Sequence, residues 1–269
     1  MLHNTNAIVY GAAGSLGSAV SRALAREGAM VFVTGRMLDA VNTVAAEIVS
    51  AGGKAKPVQV DALDEKAVND CVNDVVREVG TLDVSFNAIS LKDRQDLPLI
   101  EMTLADFARP VTIAMETQFI TATAAARVMV KQRSGVILSL TATPGGIGYA
   151  NVGGFGPACC AIEGFSRDLG AELGLYGVRV VNIRSAGSPD SRVFKEAIEQ
   201  GGERVAAFVK KMTDDTMLKE LPSTADIANI AVFLASNMAS KITGVTVDAT
   251  CGTTSALNYK LTPIAFLQP

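Results

Sequence analysis

The stretch "AIVYGAAGSLG", residues 7–17, decides the fold class. A short apolar run at 7–10 leads directly into a turn that holds Gly11, Gly14 and Gly17, and a segment with helical periodicity follows. Glycines at a turn from strand to helix allow a tight bend, close approach of the backbone to a pyrophosphate, and close packing of the helix on the strand. Because the glycines stand in this order of elements, they favour a nucleotide-binding turn over a merely tight turn. The predicted phosphate-binding residues here are Gly11, Gly14, Ser15, Leu16 and Gly17.

Beyond this turn, short apolar runs alternate with longer segments of helical periodicity, a pattern typical of parallel strands joined by crossover helices. Strands are predicted at 7–10, 31–34, 57–60, 84–87, 136–140, 178–183 and 245–248, and helices at 15–27, 38–51, 65–79, 104–132, 156–175 and 224–236. We therefore predict one α/β domain over residues 1–269, a Rossmann-type doubly wound fold. Its seven-stranded, mainly parallel sheet has helices on both faces. The polar, partly helical segment 187–221 is predicted to form a substrate lid.

Composition narrows the function classes. The 24 basic and 27 acidic residues give a net charge of −3 without blocks of like charge, so we expect a small-molecule ligand and neither nucleic acid nor a membrane as partner. The start of the chain lacks the pattern of a signal peptide, and a cytoplasmic location is expected. The single histidine, His3, and four cysteines without C-x-x-C spacing predict no metal site, no Ser-His-Asp triad and no Cys-His pair.

Polar residues follow the predicted strands at the edge where open α/β sheets bind ligands. Arg36 comes directly after the second strand, where an acidic residue would bind a ribose hydroxyl and an arginine suits the 2′-phosphate of NADP. Asp39, the nearby acidic residue, lies in the next helix. We therefore predict NADP rather than NAD, the alternative being that Arg36 is only a solvated cation at a helix start. Further cofactor contacts are predicted at Asp61, Ala62, Asn87 and Ala88.

The glycine turn, Arg36, Asp61, the strand end "LDVSFNAIS" and the segment 161–167 together resemble the short-chain dehydrogenase/reductase family from residue 7 to about residue 252. The resemblance implies NAD(P) binding and a homodimer or homotetramer packed through the predicted helices 104–132 and 156–175. It also implies that the turn after the sixth strand, with Gly187 and Ser191, lies against the nicotinamide, with Ser191 contacting either the carboxamide or the phosphates of the cofactor.

The resemblance also identifies what this chain lacks. In the family, a tyrosine, a lysine, a serine and an asparagine transfer the proton that accompanies hydride transfer. The corresponding positions here hold Phe155, Cys159, Ala142 and Ala114. Phenylalanine has no proton to donate and cysteine supplies no fixed cation, so we expect the standard carbonyl reduction to be absent or very weak.

Several residues are candidates for replacement chemistry. Tyr149 follows the fifth strand, Thr141 stands beside the vacant serine position, and Arg184 ends the sixth strand. For each of them, a lining or sheet-edge residue without chemical duty is the alternative. The pair Cys159 and Cys160 near a helix start suggests a nucleophile, but the sequence shows no base nearby, which favours two packing residues.

Three classes of function remain open on these observations. The first is an NADP(H)-binding oxidoreductase whose substrate needs little acid help, as a conjugated double bond would. The second is a non-catalytic nucleotide-binding protein or partner subunit. The third is a non-redox enzyme that uses the same cleft.

Overall fold

A computed structural model describes residues 1–256 of the chain, apart from the side chains of Val193 and Ala256. The end of the predicted domain, 257–269, lies outside the described residues. The strands are β1 Asn6–Tyr10, β2 Met30–Gly35, β3 Lys54–Gln59, β4 Val84–Asn87, β5 Gly135–Ala142, β6 Val178–Ser185 and β7 Val245–Ala249. The α-helices are α1 Ser15–Arg26, α2 Leu38–Ser50, α3 Glu65–Val79, α4 Leu104–Gln132, α5 Phe155–Leu173, α6 Arg192–Asp214, α7 Thr224–Ala235 and α8 Thr253–Ala256.

The strands form one seven-stranded sheet in the order β3-β2-β1-β4-β5-β6-β7. Every neighbouring pair is parallel, so the predicted Rossmann-type doubly wound fold is confirmed. The strand order changes direction between β1 and β4, where Tyr10 is in register with Asn87. Connections leave these two strands toward opposite faces of the sheet, which opens a crevice at their carboxyl ends.

Each face of the sheet is covered by its own apolar core. In β1, Ala7 and Val9 pack into a core with residues of α1, α2 and α7, whereas Ile8 and Tyr10 pack into a second core with residues of α3, α4 and α5. The alternation follows from strand geometry, because successive side chains point to opposite faces. Strands buried on both faces therefore appear in the sequence as continuous apolar runs.

Most predicted bounds lie within two residues of the observed ones, and two segments differ from the structure by more. Strand β3 begins at Lys54 rather than at residue 57. It lies at the edge of the sheet, where the exposed Lys54 and Lys56 alternate with partly buried residues, so its first half is not an apolar run. The predicted excursion 187–221 contains the helix α6, which has a kink at Gly202 with φ 55° and ψ −144°.

Within residues 1–256, none of the helices combines the length and the apolar character that crossing a membrane requires.

Candidate cofactor and catalytic cleft

A cavity of about 520 Å³, called the cleft below, lies at the carboxyl ends of the central strands. The glycine turn and the ends of β4, β5 and β6 form its floor and walls, and residues of α4, α5 and α6 close its sides. Of the predicted cofactor residues, those that line the cleft are Gly14, Ser15, Leu16, Gly17, Asn87, Ala88, Gly187 and Ser191. Gly11, Arg36, Asp61 and Ala62 do not line it.

The glycine turn requires glycine at two of its positions. Gly11 has φ +73°, and a Cβ there would lie 2.6 Å from the carbonyl oxygen of Ala88. A Cβ on Gly17 would lie 2.4 Å from the carbonyl oxygen of Gly11. A Cβ on Gly14 would meet that same oxygen at 3.3 Å, a tight but far milder contact. The close packing of α1 on β1 therefore depends on Gly11 and Gly17.

Helix α1 begins at this turn without a cap. The N-cap Gly14 offers no side-chain hydrogen bond, and the first turn of the helix contains no acidic residue. The first amides of a helix have no partner within the helix and carry a partial positive charge. Because Ser15, Leu16 and Gly17 line the cleft, these amides suit a phosphate group there. The turn therefore fits a dinucleotide cofactor.

Arg36 lies just beyond the end of β2 and is exposed. Its guanidinium makes no hydrogen bond or ion pair with the residues described, while its carbonyl oxygen accepts a hydrogen bond from Gln59 Nε2 at 2.9 Å. Asp61 is also exposed and its Oδ1 accepts a hydrogen bond from the amide of Leu63 at 3.1 Å. Ala62 is buried. The Arg36 guanidinium is therefore exposed and unpaired among the described residues.

Asn87 fixes the end of β4. Its Nδ2 donates to Thr121 Oγ1 at 3.0 Å, and its Oδ1 accepts from the amide of Ile89 at 3.0 Å. Asn87 is 4% exposed. Its hydrogen bonds hold the strand end against α4 and shape the floor of the cleft.

The vacant catalytic positions form an apolar wall of the cleft. Ala142, Phe155 and Cys159 line it, while Ala114 is fully buried behind them, in one cluster with Ile162 and the packed ring of Phe155. Burial raises the pKa of the Cys159 thiol to about 12, so this thiol stays protonated near neutral pH. The wall therefore offers neither an acid of ordinary strength nor a cation.

Cys160 does not share this wall. It is exposed and lies outside the cleft, on a neighbouring cavity of about 700 Å³. Adjacent residues of a helix point about 100° apart, which explains why only one of the two cysteines faces the cleft.

Arg184 belongs to a network of ion pairs and hydrogen bonds beneath the loop that follows β5. Its Nε donates to Glu163 Oε1 at 2.9 Å and its Nη1 to Asp248 Oδ2 at 3.0 Å. The hydrogen bonds that Arg184 donates to the Glu163 carboxylate raise the pKa of Arg184 above its usual value. A Cβ on Gly146 would lie 2.6 Å from Arg184 Nη1, so the loop rests directly on the guanidinium. Arg184 stabilises this loop and does not line the cleft.

Thr141 belongs to the same network. It lines the cleft, but its hydroxyl donates to Glu163 Oε1 at 2.9 Å and accepts from Asn182 Nδ2 at 2.7 Å. With its proton directed at Glu163, Thr141 does not replace the missing serine in this arrangement.

Tyr149, unlike Arg184, lines the cleft. It lines both the cleft and the neighbouring cavity, which also share Pro144 and Val152. Burial raises the pKa of the Tyr149 phenol, the charge of Asp215 raises it further, and the charge of Lys211 opposes this rise.

Helix α6 covers the open side of the cleft. Phe194, Phe208 and Met212 line the cleft from this helix. The amide of Arg192 donates to Ser15 Oγ at 3.1 Å, which ties the start of α6 to the start of α1. Ser191 caps α6, its Oγ accepting from the amide of Phe194 at 3.4 Å. The segment predicted as a lid thus supplies an apolar roof.

Comparison with known proteins agrees with this architecture. Residues 11–254 match the family model described as "Enoyl-(Acyl carrier protein) reductase". The chain belongs to the short-chain dehydrogenase/reductase family. "Tropinone reductase-like 2" of Erythroxylum coca is 30% identical over 244 residues, a match that covers 89% of this chain and 86% of that relative. The "Uncharacterized oxidoreductase YxjF" of Bacillus subtilis (strain 168) is 26% identical over 243 residues, covering 88% of this chain and 93% of that relative.

Solved structures show the same fold. The crystal structure of levodione reductase superposes with a TM-score of 0.88 at 22% identity, covering 95% of this chain and the whole of that one. Short-chain dehydrogenase/reductases use NAD(P), which agrees with the uncapped glycine turn at the cleft.

Among the polar residues of the cleft that the sequence analysis did not predict, two are buried without a hydrogen-bond partner in the described part of the chain. Gln118 lines the cleft from α4 and is 5% exposed, and its amide has no hydrogen-bond partner among residues 1–256. It stands one helical turn after Ala114, so their i, i+4 spacing is the signal that could have found it. Ser188 also lines the cleft, and its buried hydroxyl has no partner among the described residues; it stands in the turn between Gly187 and Ser191 that the resemblance placed against the cofactor.

Proposed function

We propose that this short-chain dehydrogenase/reductase is an NADP(H)-dependent oxidoreductase. Its substrates would be ones whose reduction needs little general acid catalysis. One observation carries the proposal: the uncapped start of α1 opens into the same cleft as Phe155 and Cys159. The cleft thus has a place for a pyrophosphate and, at its other end, the apolar wall where the family's acid would stand.

Arg36 supports the choice of NADP. Its guanidinium is exposed and unpaired among the described residues, and charge-assisted hydrogen bonds from arginine to phosphate are strong and often bidentate. The nearby acidic residue, Asp39, lies in the first turn of α2. Arg36 would therefore supply a positive charge to the 2′-phosphate of a bound NADP.

The wall at Ala142, Phe155 and Cys159 supports the choice of substrate. Bound NADPH supplies a hydride. Hydride addition to a ketone creates a localised alkoxide, which needs a strong hydrogen-bond donor, whereas addition to a conjugated double bond creates an enolate with spread charge. The description of the matching family model, an enoyl reductase, belongs to the same class of reaction. Phe194, Phe208 and Met212 exclude water from the site.

The cofactor preference is tested by calorimetric titration with NADPH and NADH. We expect the wild-type protein to bind NADPH more tightly, and Arg36→Ala to weaken NADPH binding about tenfold or more while leaving NADH unchanged, since a hydrogen bond to a charged group is worth about 1.5–3 kcal/mol. Arg26→Ala is the matched control, because Arg26 ends α1 away from the cleft. Equal affinities in the wild-type protein, or no binding of either cofactor, would refute the proposal.

A further inference from the structure

The neighbouring cavity that carries Cys160 adjoins the cleft. It has a volume of about 700 Å³ and is enclosed by the loop that follows β5, the first turns of α5 and the segment before α4. Pro144, Tyr149 and Val152 line both spaces, so the cleft and the neighbouring cavity meet along the loop that follows β5. A molecule that extends out of the cleft on this side would enter the neighbouring cavity.

The lining of the neighbouring cavity is uncharged. The described residues around it contribute apolar side chains and glycine backbone, and its polar side chains are those of Tyr149, Asn151 and Cys160. The cleft, by contrast, has Asp93 and Arg192 in its lining. Moving a charged group out of water is costly without a partner, whereas burying apolar surface is favourable. The lining therefore suits an uncharged, apolar group.

The wall between the two spaces is held in place by backbone contacts. The amide of Asp96, in the segment before α4, donates to the carbonyl oxygen of Asn151 at 2.8 Å. A side chain on Gly154 would collide with the carbonyl oxygen of Phe107, so the end of the loop packs directly on the start of α4. A ligand that enters the neighbouring cavity does not have to order this wall, which lowers the entropic cost of binding.

We propose that the neighbouring cavity binds an uncharged apolar chain of the substrate, whose reducible double bond lies in the cleft. The substrate class is thus a conjugated enone that carries an extended alkyl substituent. The cavity contributes binding and specificity and takes no part in the bond changes. This inference rests on the proposed function, because it names the substrate class of that same reduction.

The first test observes binding without turnover. Cys160 is exposed on the neighbouring cavity, whereas Cys71 and Cys159 are buried and Cys251 is partly exposed. In the variant Cys251→Ser, iodoacetamide should therefore react first with Cys160. With NADPH present, 2-decanone at about ten times its Kd should slow this reaction about tenfold, because the bound chain covers the thiol by mass action. The same concentration of 2-butanone, which lacks the long chain, should leave the rate unchanged.

The second test compares turnover of (E)-3-decen-2-one and (E)-3-penten-2-one with NADPH. We expect the wild-type kcat/KM to be at least about 10²-fold higher for the longer enone, since each methylene in a hydrophobic pocket is worth about tenfold or more. Gly156→Leu should bring this ratio toward one. Gly156 lines the neighbouring cavity and not the cleft, and its Cβ would meet no atom closer than 3.5 Å, so the new side chain fills the cavity without moving the backbone.

The matched control is Gly174→Leu. Gly174 follows α5 directly, is exposed, has helical backbone angles and has open space around a Cβ, so it adds the same side chain outside both cavities. The ratio should stay at its wild-type value. Cys160→Phe fills the neighbouring cavity from a second position and should act as Gly156→Leu does. Thermal unfolding checks that each variant folds.

The outcomes separate this inference from the proposed function. Protection of Cys160 by 2-decanone, together with a ratio that Gly156→Leu or Cys160→Phe removes, supports the assigned substrate class. Equal kcat/KM values for the two enones, or protection by neither ketone, overturn it and leave the proposed function standing. A wild-type protein that binds NADPH and reduces neither enone refutes the proposed function and the substrate class together.

Discussion

At the scale of single residues, the charged side chains beside the apolar wall of the cleft are paired with one another. Glu163, one turn after Cys159, is held by Arg184 and Thr141. Burial raises the pKa of Asp248, but hydrogen bonds from Thr250 and Thr254 lower it more, helped by Arg184. One guanidinium is therefore paired with two carboxylates beneath the loop after β5, while the wall of the cleft stays apolar.

This arrangement predicts the outcome of restoring the family's residues. With NADPH and cyclohexanone, we expect the wild-type protein to show no appreciable turnover. The combined variant Phe155→Tyr, Cys159→Lys and Ala142→Ser should gain about 10²- to 10⁴-fold, the usual value of general acid catalysis. All three positions line the cleft, so the new side chains would reach the same space. Loss of NADPH absorbance measures the rate.

The control is the same variant without Cys159→Lys. Without the cation, the introduced phenol lacks the charge that lowers its pKa, and the gain should be small. A combined variant that folds and binds NADPH but reduces no cyclohexanone would show that the cleft has changed shape as well as chemistry.

At the scale of elements, the contact between α1 and β1 gives a prediction about the glycine turn. Gly17→Ala places a Cβ against the carbonyl oxygen of Gly11 and must move α1, whereas the Cβ of Gly14→Ala meets the same oxygen at the milder 3.3 Å. We expect Gly17→Ala to weaken NADPH binding at least about tenfold, or 1.4 kcal/mol, and to lower the Tm. Gly14→Ala should change both by less. The reverse order of effects would contradict this account of the turn.

How far the sequence predicted the elements depended on where their apolar side chains point. Strand β4 is buried on both faces, and its predicted bounds, 84–87, agree with the structure. The bounds of α6 could not be predicted, because Phe208 is half exposed and Phe194 faces the cleft, so the helix shows no core-facing stripe. The ion-pair partners of Arg184 could not be predicted from the sequence either. Glu163 and Asp248 stand on different elements, and only the parallel register of β6 and β7 brings Asp248 opposite Arg184.

At the scale of the whole molecule, α4 presents two large apolar side chains to solvent beside α5. Phe119 is 53% exposed and Leu104 is 81% exposed on α4. The ring of Phe119 lies 6.5 Å from that of Phe165 on α5, centroid to centroid, so the two helices present a joint aromatic surface. Aromatic residues on such surfaces are typical anchors of protein interfaces.

We expect this surface to hold a homodimer or homotetramer together. Sedimentation of the wild-type protein at micromolar concentration should give a multiple of the 28.0 kDa chain mass. Phe119→Glu should shift the mass toward the monomer, because it places a charge in the centre of the aromatic surface, where it would be desolvated without a partner. Val49→Glu is the matched control, since Val49 is 56% exposed on α2, away from α4 and α5. A wild-type mass equal to one chain would refute the assembly, and a mass insensitive to Phe119→Glu would move the interface to another surface.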